Sequence, residues 1–408
     1  MASMPELYER LESLEREIER QEEVLRDLEK QRSDVQSQLN SHRDPMARLP
    51  PEISSDILLK SLPMPPTWRP LVRLLLVCRA WSALALATPF LWSTITDEGM
   101  PRSNFAGVVQ RWLGRAPGLP ISVLLRDTSW AGLALQKFQA LEAYAPQIQN
   151  LYLPTLHDTS LEGIARFGAL RSLTIQYADP LSPNLLLDLL RGLPSLVKLE
   201  TYNIKYSPMQ ATARQLTHPN LEHLHFGRLE VAQFSETSIL PLLTLPALHS
   251  LLISRDLISD TDLHRFLVRS SPPLRYLRVQ FSGEDFRSET IVACLQLVPT
   301  LTDFHILPPY SSGGSDTSPS PFDLWAIAPH LLPALENLLI QDDFSSATET
   351  CRLAVEFLGN RPPSFQSLRL MVSSNAEYWL EEDVVAALRR FRDEGVRVHL
   401  GTGKRNFL

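Results

Sequence analysis

A short apolar pattern recurs along most of this chain and constrains its fold more than any other feature. Its unit is an apolar residue, two variable residues, an apolar residue, one variable residue and a further apolar or β-branched residue. It occurs nine times at intervals of 22 to 34 residues, beginning at Ile148, Leu170, Leu196, Leu221, Leu248, Leu274, Leu301, Leu335 and Phe365. A unit this short cannot bury its own apolar edge, so the copies must stack against one another.

The spacing and period of these copies are those of leucine-rich repeats, in which each repeat supplies one strand and one helix. Amphipathic stretches such as 184–190 and 261–268 predict helices between the strands. A strand at 121–125 should start the array, and a helix at 381–392 with a strand at 396–400 should close it. Residues 101–408 are therefore predicted to form a solenoid with parallel strands on its concave face, so that the whole chain is an α/β protein.

The residues between the repeated apolar positions should point away from the core of the solenoid. Tyrosine, arginine and histidine at such positions are good anchors for a protein ligand. We therefore expect a surface that binds a protein substrate, the identity of which the sequence does not give. The candidate contacts are Tyr152, His223, His225, Tyr276, Arg278, Asp303, His305 and Arg369.

A second ordered pattern occupies residues 49–95. It reads LPPEISSDILLKSL from Leu49, LVRLLLVCRAWSALALATPFLW from Leu71, and ends on Thr94 and Ile95. Helices are predicted from Pro51 to the prolines that begin at residue 63, over 71–78 and over 79–86, because apolar residues recur at helical spacing. Three helices this short cannot bury all of these apolar side chains, which indicates a surface that another protein covers.

The order of LPxEI, VCRxW and PxLW in this segment resembles the F-box, a module that docks a protein onto the Skp adaptor of a cullin ubiquitin ligase. The resemblance implies a non-catalytic subunit that binds the Skp adaptor, and through it a cullin, and presents a substrate. The long gap between Leu62 and Leu71 departs from the family pattern. The alternative is a scaffold that acts outside a ligase. The resemblance implies adaptor contacts at Leu49, Pro50, Ile53, Ile57, Leu58, Val77, Cys78 and Trp81.

A long charged helix is predicted over about residues 5–40. With Leu11 at heptad position a, apolar residues fill the a and d positions except at Gln21 and Arg32, which is typical of a coiled coil. In a parallel homodimer Glu17 would repel Glu22 of the other copy, so the flanking charges do not specify self-pairing. A homodimer, a different coiled-coil partner and a solvated single helix all remain open. The predicted domains are a coiled coil at 1–44, an F-box at 45–100 and the solenoid at 101–408, an order that resembles F-box proteins of mushroom-forming fungi.

Composition and motifs exclude several classes of function. A net charge of −7 argues against nucleic acid as the main partner, and Arg73 and Arg79 interrupt the longest apolar stretch, so no membrane span is expected. Three widely separated cysteines indicate a reducing compartment, the cytoplasm or nucleus. His223 and His225 share one strand face but are too few for a metal site. No catalytic motif is present, so we expect no enzyme, metal or cofactor. The insert at 308–323 is rich in Gly, Ser and Pro, which predicts a surface loop.

Overall fold

The computed structural model is a mixed α/β protein with a long N-terminal helix and a parallel sheet. It describes residues 4–63, 67–98, 104–126, 131–156, 161–181, 183–202, 204–206, 214–227, 239–253, 260–280, 288–307, 322–328, 330–341, 347–372, 381–402 and 405–408. The insert predicted at 308–323 lies outside these ranges except for its last two residues. The chain divides into two compact units, Met1–Glu98 with Gly107–Leu119, and Gly99–Ala106 with Pro120–Leu408.

The first unit consists mainly of helices. They are α1 (Met4–Arg43), α2 (Pro51–Ser61), α3 (Trp68–Leu75) and α4 (Arg79–Leu86), followed by the short strand β1 (Thr94–Thr96) and most of α5 (Phe105–Leu113). Pro51 occupies the first turn of α2, as predicted from its fixed φ and missing N–H. Helix α3 is shifted from the predicted 71–78, because Cys78 adopts an extended backbone (φ −160°, ψ 171°) and serves as the N-cap of α4.

The first unit extends beyond residue 100, where the sequence predicts its end. Residues 107–119 belong to it because Trp112 packs edge-on against Trp92, with ring centroids 4.9 Å apart. Trp112 Nε1 also donates a hydrogen bond to the backbone oxygen of Thr94 at 3.0 Å. The guanidinium of Arg115 lies 4.3 Å from the centroid of the Trp92 ring. Two buried tryptophans therefore join this segment to the end of the helical region.

The second unit is built on a parallel sheet whose main strands follow chain order. These strands are β2 (Ile121–Leu124), β3 (Ile148–Leu156), β4 (Ser172–Leu181), β5 (Lys198–Tyr202), β8 (His223–Gly227), β10 (Ser250–Ile253), β11 (Tyr276–Gln280), β12 (Asp303–Leu307), β13 (Asn337–Gln341), β14 (Ser367–Met371) and β15 (Arg397–Gly401). Strand β6 (Ile204–Tyr206) pairs with β4, while β7 (Leu216–Thr217) and β9 (Leu243–Thr244) form a separate pair. The prediction of parallel strands at the repeated positions is confirmed.

Helices connect many of these strands, as the period of the repeats predicts. They are α6 (Ala131–Leu141), α7 (Leu161–Ala165), α8 (Pro183–Gly192), α9 (Asp260–Ser270), α10 (Ser288–Gln296), α11 (Asp323–Ile327), α12 (Ala347–Gly359) and α13 (Glu382–Asp393). The central apolar residue of each repeat is aligned with that of its neighbour, for example Leu277 with Phe304, and these side chains are fully buried. The core therefore lies along one side of the sheet. No helix among the described residues is long and apolar enough to cross a membrane.

Candidate protein-binding sites

The other side of the sheet carries two rows of half-buried or exposed side chains, aligned by the register of the parallel strands. The first row contains Asn150, Ser172, Lys198, His223, Ser250, Tyr276, Asp303, Asn337, Ser367 and Arg397. The second row contains Tyr152, Thr174, Glu200, His225, Leu252, Arg278, His305, Leu339, Arg369 and His399. All eight residues predicted to contact a substrate fall in these rows, so the structure brings them onto one face of the sheet. Their role in binding stays a prediction.

Tyr276 of the first row and His305 of the second row contact each other. Their rings meet edge-on with centroids 4.9 Å apart, and the Tyr276 hydroxyl lies 3.1 Å from His305 Nδ1, within hydrogen-bond distance. Burial lowers the pKa of His305, the charge of Arg278 lowers it further, and the carboxylate of Asp303 opposes this shift. Burial also raises the pKa of Tyr276. Near neutral pH this pair therefore presents a neutral imidazole and a neutral phenol beside the cationic Arg278.

Polar side chains next to this pair form hydrogen bonds with one another. The carboxylate of Asp303 accepts hydrogen bonds from Thr302 Oγ1 at 2.7 Å and from Asn337 Nδ2 at 2.8 Å. Asp303 is thus held between its own strand and β13. Arg369, two strands beyond Asp303 in the second row, is exposed.

Side chains in the N-terminal half of the two rows form ion pairs, hydrogen bonds and ring contacts with one another. Lys198 Nζ lies 2.9 Å from Glu200 Oε1, and Thr174 Oγ1 donates to Glu200 Oε2 at 3.0 Å. The rings of Tyr202 and His225 meet edge-on at 4.6 Å, and burial lowers the pKa of His225. The arginines of the two rows, Arg278 on β11, Arg369 on β14 and Arg397 on β15, lie toward the other end of the sheet. Tyr202 was not among the sequence-predicted contacts, since it follows the repeated pattern rather than lying within it.

The helical unit exposes apolar residues at most of the predicted adaptor contacts. Leu49, Ile53, Ile57 and Val77 are 40%, 50%, 41% and 56% exposed, and Pro50 is exposed as well. Ile53 and Ile57 lie on one side of α2, since residues four apart share a helix face, and Pro50 is the N-cap of this helix. We call Leu49, Pro50, Ile53, Ile57, Leu76 and Val77 the docking face.

Leu58 lies in the core of this unit and not on the docking face, contrary to the prediction. Its side chain is 1% exposed, and Leu71 of α3 and Ala85 of α4 are buried to the same degree. Successive residues on an α-helix are rotated by about 100°, so the helix that exposes Ile57 turns Leu58 toward the other helices. An adaptor cannot contact Leu58 without opening the core.

Cys78 and Trp81 are half-buried and held by the carboxylate of Asp44. Asp44 Oδ2 accepts hydrogen bonds from Trp81 Nε1 at 2.7 Å and from Cys78 Sγ at 3.7 Å. Asp44 Oδ1 accepts another from the backbone N–H of Met46 at 2.9 Å. Trp81 also lines a cavity of about 150 Å³ together with Leu49. Trp81 therefore lies near Leu49 and the start of α2, and part of its side chain remains accessible.

A comparison with protein-family models agrees with this location. Residues 46–98 match the F-box-like family model. The chain carries an F-box-like domain. No curated protein matches the chain in sequence. Among solved structures, the crystal structure of the Rad7 and Elc1 complex in yeast is similar at 12% identity and a TM-score of 0.33, covering 98% of this chain and 98% of that chain, values too low to support an inference about fold or function.

Leu76 and Phe90 of the F-box-like domain were not predicted as contacts, although they are 77% and 60% exposed. Leu76 follows the last residue of α3, in the turn before α4, and is exposed there next to Val77. The apolar run that continues through residue 77 could have indicated an exposed contact at Leu76. Helical spacing alone, however, places Leu76 inside the predicted helix over 71–78. No group of three or more His, Cys, Asp and Glu that could hold a metal ion occurs among the described residues of the chain.

Proposed function

We propose that this chain is the non-catalytic substrate-recognition subunit of a Skp–cullin–F-box ubiquitin ligase. The observation that carries the proposal is the docking face, because its apolar side chains lie exposed within a segment that matches the F-box-like model. Isolated exposed apolar residues are common, but six of them within one small helical domain are typical of a protein-binding surface. The Skp adaptor would cover this face and connect the chain to a cullin.

The second unit would hold the target protein. Its chain-order parallel strands with intervening helices support a leucine-rich-repeat solenoid, in which both rows of outward side chains line the concave face. Tyr276, Arg278 and His305 support the binding of a protein at β11 and β12, since aromatic and arginine side chains supply much of the energy of protein interfaces. The neutral phenol and imidazole can exchange hydrogen bonds with a peptide backbone, while Arg278 attracts a carboxylate or phosphate.

This function requires no reacting group on the chain itself. Other subunits would perform ubiquitin transfer, and the chain would raise the effective concentration of a lysine of the target near the loaded enzyme. We propose that it acts in the cytoplasm or nucleus, where these ligases and their targets meet.

The test is reconstitution of the full-length chain with a purified Skp adaptor and a cullin. We expect a stable complex that the double variant Leu49→Ala/Pro50→Ala no longer forms. Ile327→Ala is the matched control, because Ile327 lies in α11 of the second unit and is 50% exposed. Full binding by the double variant, or equal loss in the control, would contradict adaptor docking through this face.

The same material separates the ligase from a scaffold outside a ligase. A complex that contains the Skp adaptor but no cullin would favour the scaffold. To identify the target, the chain is captured from cells with the proteasome inhibited, and the bound proteins are compared with those of an Arg278→Ala/Arg369→Ala variant. A target of the ligase should be stabilised by the inhibitor and lost from the variant, whereas the Skp adaptor is retained by both.

A further inference from the structure

Helix α1 presents a long apolar seam that the rest of its unit leaves open. Eight of its apolar a and d residues are between 51% and 58% exposed, namely Leu7, Leu11, Leu14, Ile18, Leu25, Leu28, Val35 and Leu39. The helix spans 40 residues, so the seam runs along most of its length. A seam of this kind is stable in water when a second helix covers it.

The contact between α1 and the F-box-like domain uses a different side of the helix. Arg79 Nη2 donates a hydrogen bond to Ser33 Oγ at 2.5 Å, and Arg79 Nη1 lies 3.8 Å from Asp34 Oδ1. Ser33 and Asp34 occupy heptad positions b and c, which point away from the a/d seam. Val35 and Leu39 remain more than half exposed beside this contact. The domain therefore holds the end of α1 while leaving the seam available to another chain.

One flank of the seam carries a line of glutamates. Positions e hold Glu15, Glu22 and Glu29. The ion pairs that α1 makes in the described part of the first unit join Arg16 to Glu12, Arg20 to Glu17, and Arg79 to Asp34, so none of the three e-position glutamates takes part in them. On the other flank Glu17 is already engaged, since it accepts hydrogen bonds from Arg20 and from Gln21.

Pairing with a second copy of this chain places like charges together in both orientations. In a parallel dimer each g residue faces the following e residue of the partner, so Glu17 meets Glu22 and the core position of Arg32 meets itself. In an antiparallel dimer e faces e, so glutamates of this flank meet one another. The contact of Arg10 with Glu15 in the parallel form is favourable, but it does not offset these repulsions.

We propose that α1 binds a helix of a different protein, one with an apolar seam, lysine or arginine on the flank that faces Glu15, Glu22 and Glu29, and an acidic residue opposite Arg32. Such a helix satisfies the seam and the acidic flank at once, which a second copy of this chain cannot do. The proposal is independent of adaptor docking, because the docking face and the seam share no residue.

The experiment uses the full-length chain and two synthetic helices of the length of α1. Both peptides carry leucine and isoleucine at a and d and an aspartate facing Arg32, and they differ only in having lysine or glutamate at every e and g position. Like charges at the e and g positions disfavour self-association of both peptides, so self-association does not bias the comparison of their binding. Fluorescence anisotropy measures binding of each labelled peptide, and sedimentation measures the oligomeric state of the chain alone.

We expect the chain alone to sediment as a monomer and to bind the lysine peptide at least about tenfold more tightly than the glutamate peptide. The variant Glu15→Lys/Glu22→Lys/Glu29→Lys should reverse this preference while still capturing the Skp adaptor. These glutamates are exposed on the helix, so circular dichroism of the variant should match that of the parent. Sedimentation as a dimer would show that a second copy covers the seam. Equal binding of both peptides, or binding of neither, would equally overturn the proposal.

Discussion

Two neighbouring residues of α2 should have different effects when replaced by alanine, because one lies on the docking face and the other in the core. Ile57 is 41% exposed and Leu58 is 1% exposed. We expect Ile53→Ala/Ile57→Ala to weaken adaptor binding and leave the unfolding transition almost unchanged. Leu58→Ala should instead destabilise the F-box-like domain, and it should weaken adaptor binding only to the extent that the domain unfolds.

The exposed fractions set the size of both effects. Complete burial of an isoleucine side chain stabilises by about 1.5–3 kcal/mol relative to full exposure. Since Ile53 and Ile57 are about half exposed, covering the remainder contributes about 1 kcal/mol each. Losing both contributions, about 2 kcal/mol, raises the Kd for the adaptor about 30-fold. Leu58→Ala creates a cavity among α2, α3 and α4 and should cost about 2–5 kcal/mol of unfolding free energy.

Two measurements on each variant distinguish these outcomes. Titration calorimetry with a purified Skp adaptor gives the Kd, and urea denaturation followed by tryptophan fluorescence gives the unfolding free energy, since Trp92 is buried in this unit and reports its packing. A double variant that binds the adaptor as tightly as the parent would refute the assignment of the docking face. A Leu58→Ala variant as stable as the parent would refute the assignment of the core.

Three further effects follow from other contacts. Trp81→Phe removes the indole hydrogen bond to the carboxylate that follows α1, and should lower the thermal midpoint of the first unit by an amount equivalent to about 1–3 kcal/mol, measured by calorimetry. Burial lowers the pKa of His225 and of His305 below 6.5, so at mildly acidic pH the unfolded chain binds more protons than the folded chain. The unfolding free energy should therefore fall as pH drops below about 6.5. His225→Gln/His305→Gln should reduce that dependence on pH, as urea denaturation at several pH values would show. Gly401→Ala should destabilise the C-terminal strand by about 1–3 kcal/mol, because φ is +151° and a Cβ would lie 2.1 Å from a backbone oxygen. At Gly359 a Cβ would meet open space, so Gly359→Ala should be neutral or slightly stabilising in the same denaturation assay.

The sequence predicted the strands well because each one repeats the same alternation. Period-two burial locates Leu277 and Val279 inside and Tyr276 and Arg278 outside, and the structure places them so. The helical segment was less predictable. The end of α3 depends on the extended backbone of Cys78, and the end of the first unit depends on Trp112 packing against a tryptophan twenty residues earlier. Neither feature leaves a local periodic signal.

The contacts within the outward rows were beyond sequence analysis for a related reason, and they affect how substitutions there should be interpreted. The Tyr276 hydroxyl meets His305 across 29 positions of sequence, and Thr174 meets Glu200 across 26. Replacing Tyr276 therefore also changes the solvation of His305, so loss of a bound target would not by itself show that Tyr276 touches it. A double-mutant cycle of Tyr276→Phe with His305→Gln, measured as binding of the target, separates the two cases. If Tyr276 touches the target itself, Tyr276→Phe still weakens binding when residue 305 is glutamine, whereas an effect exerted only through His305 disappears in that background.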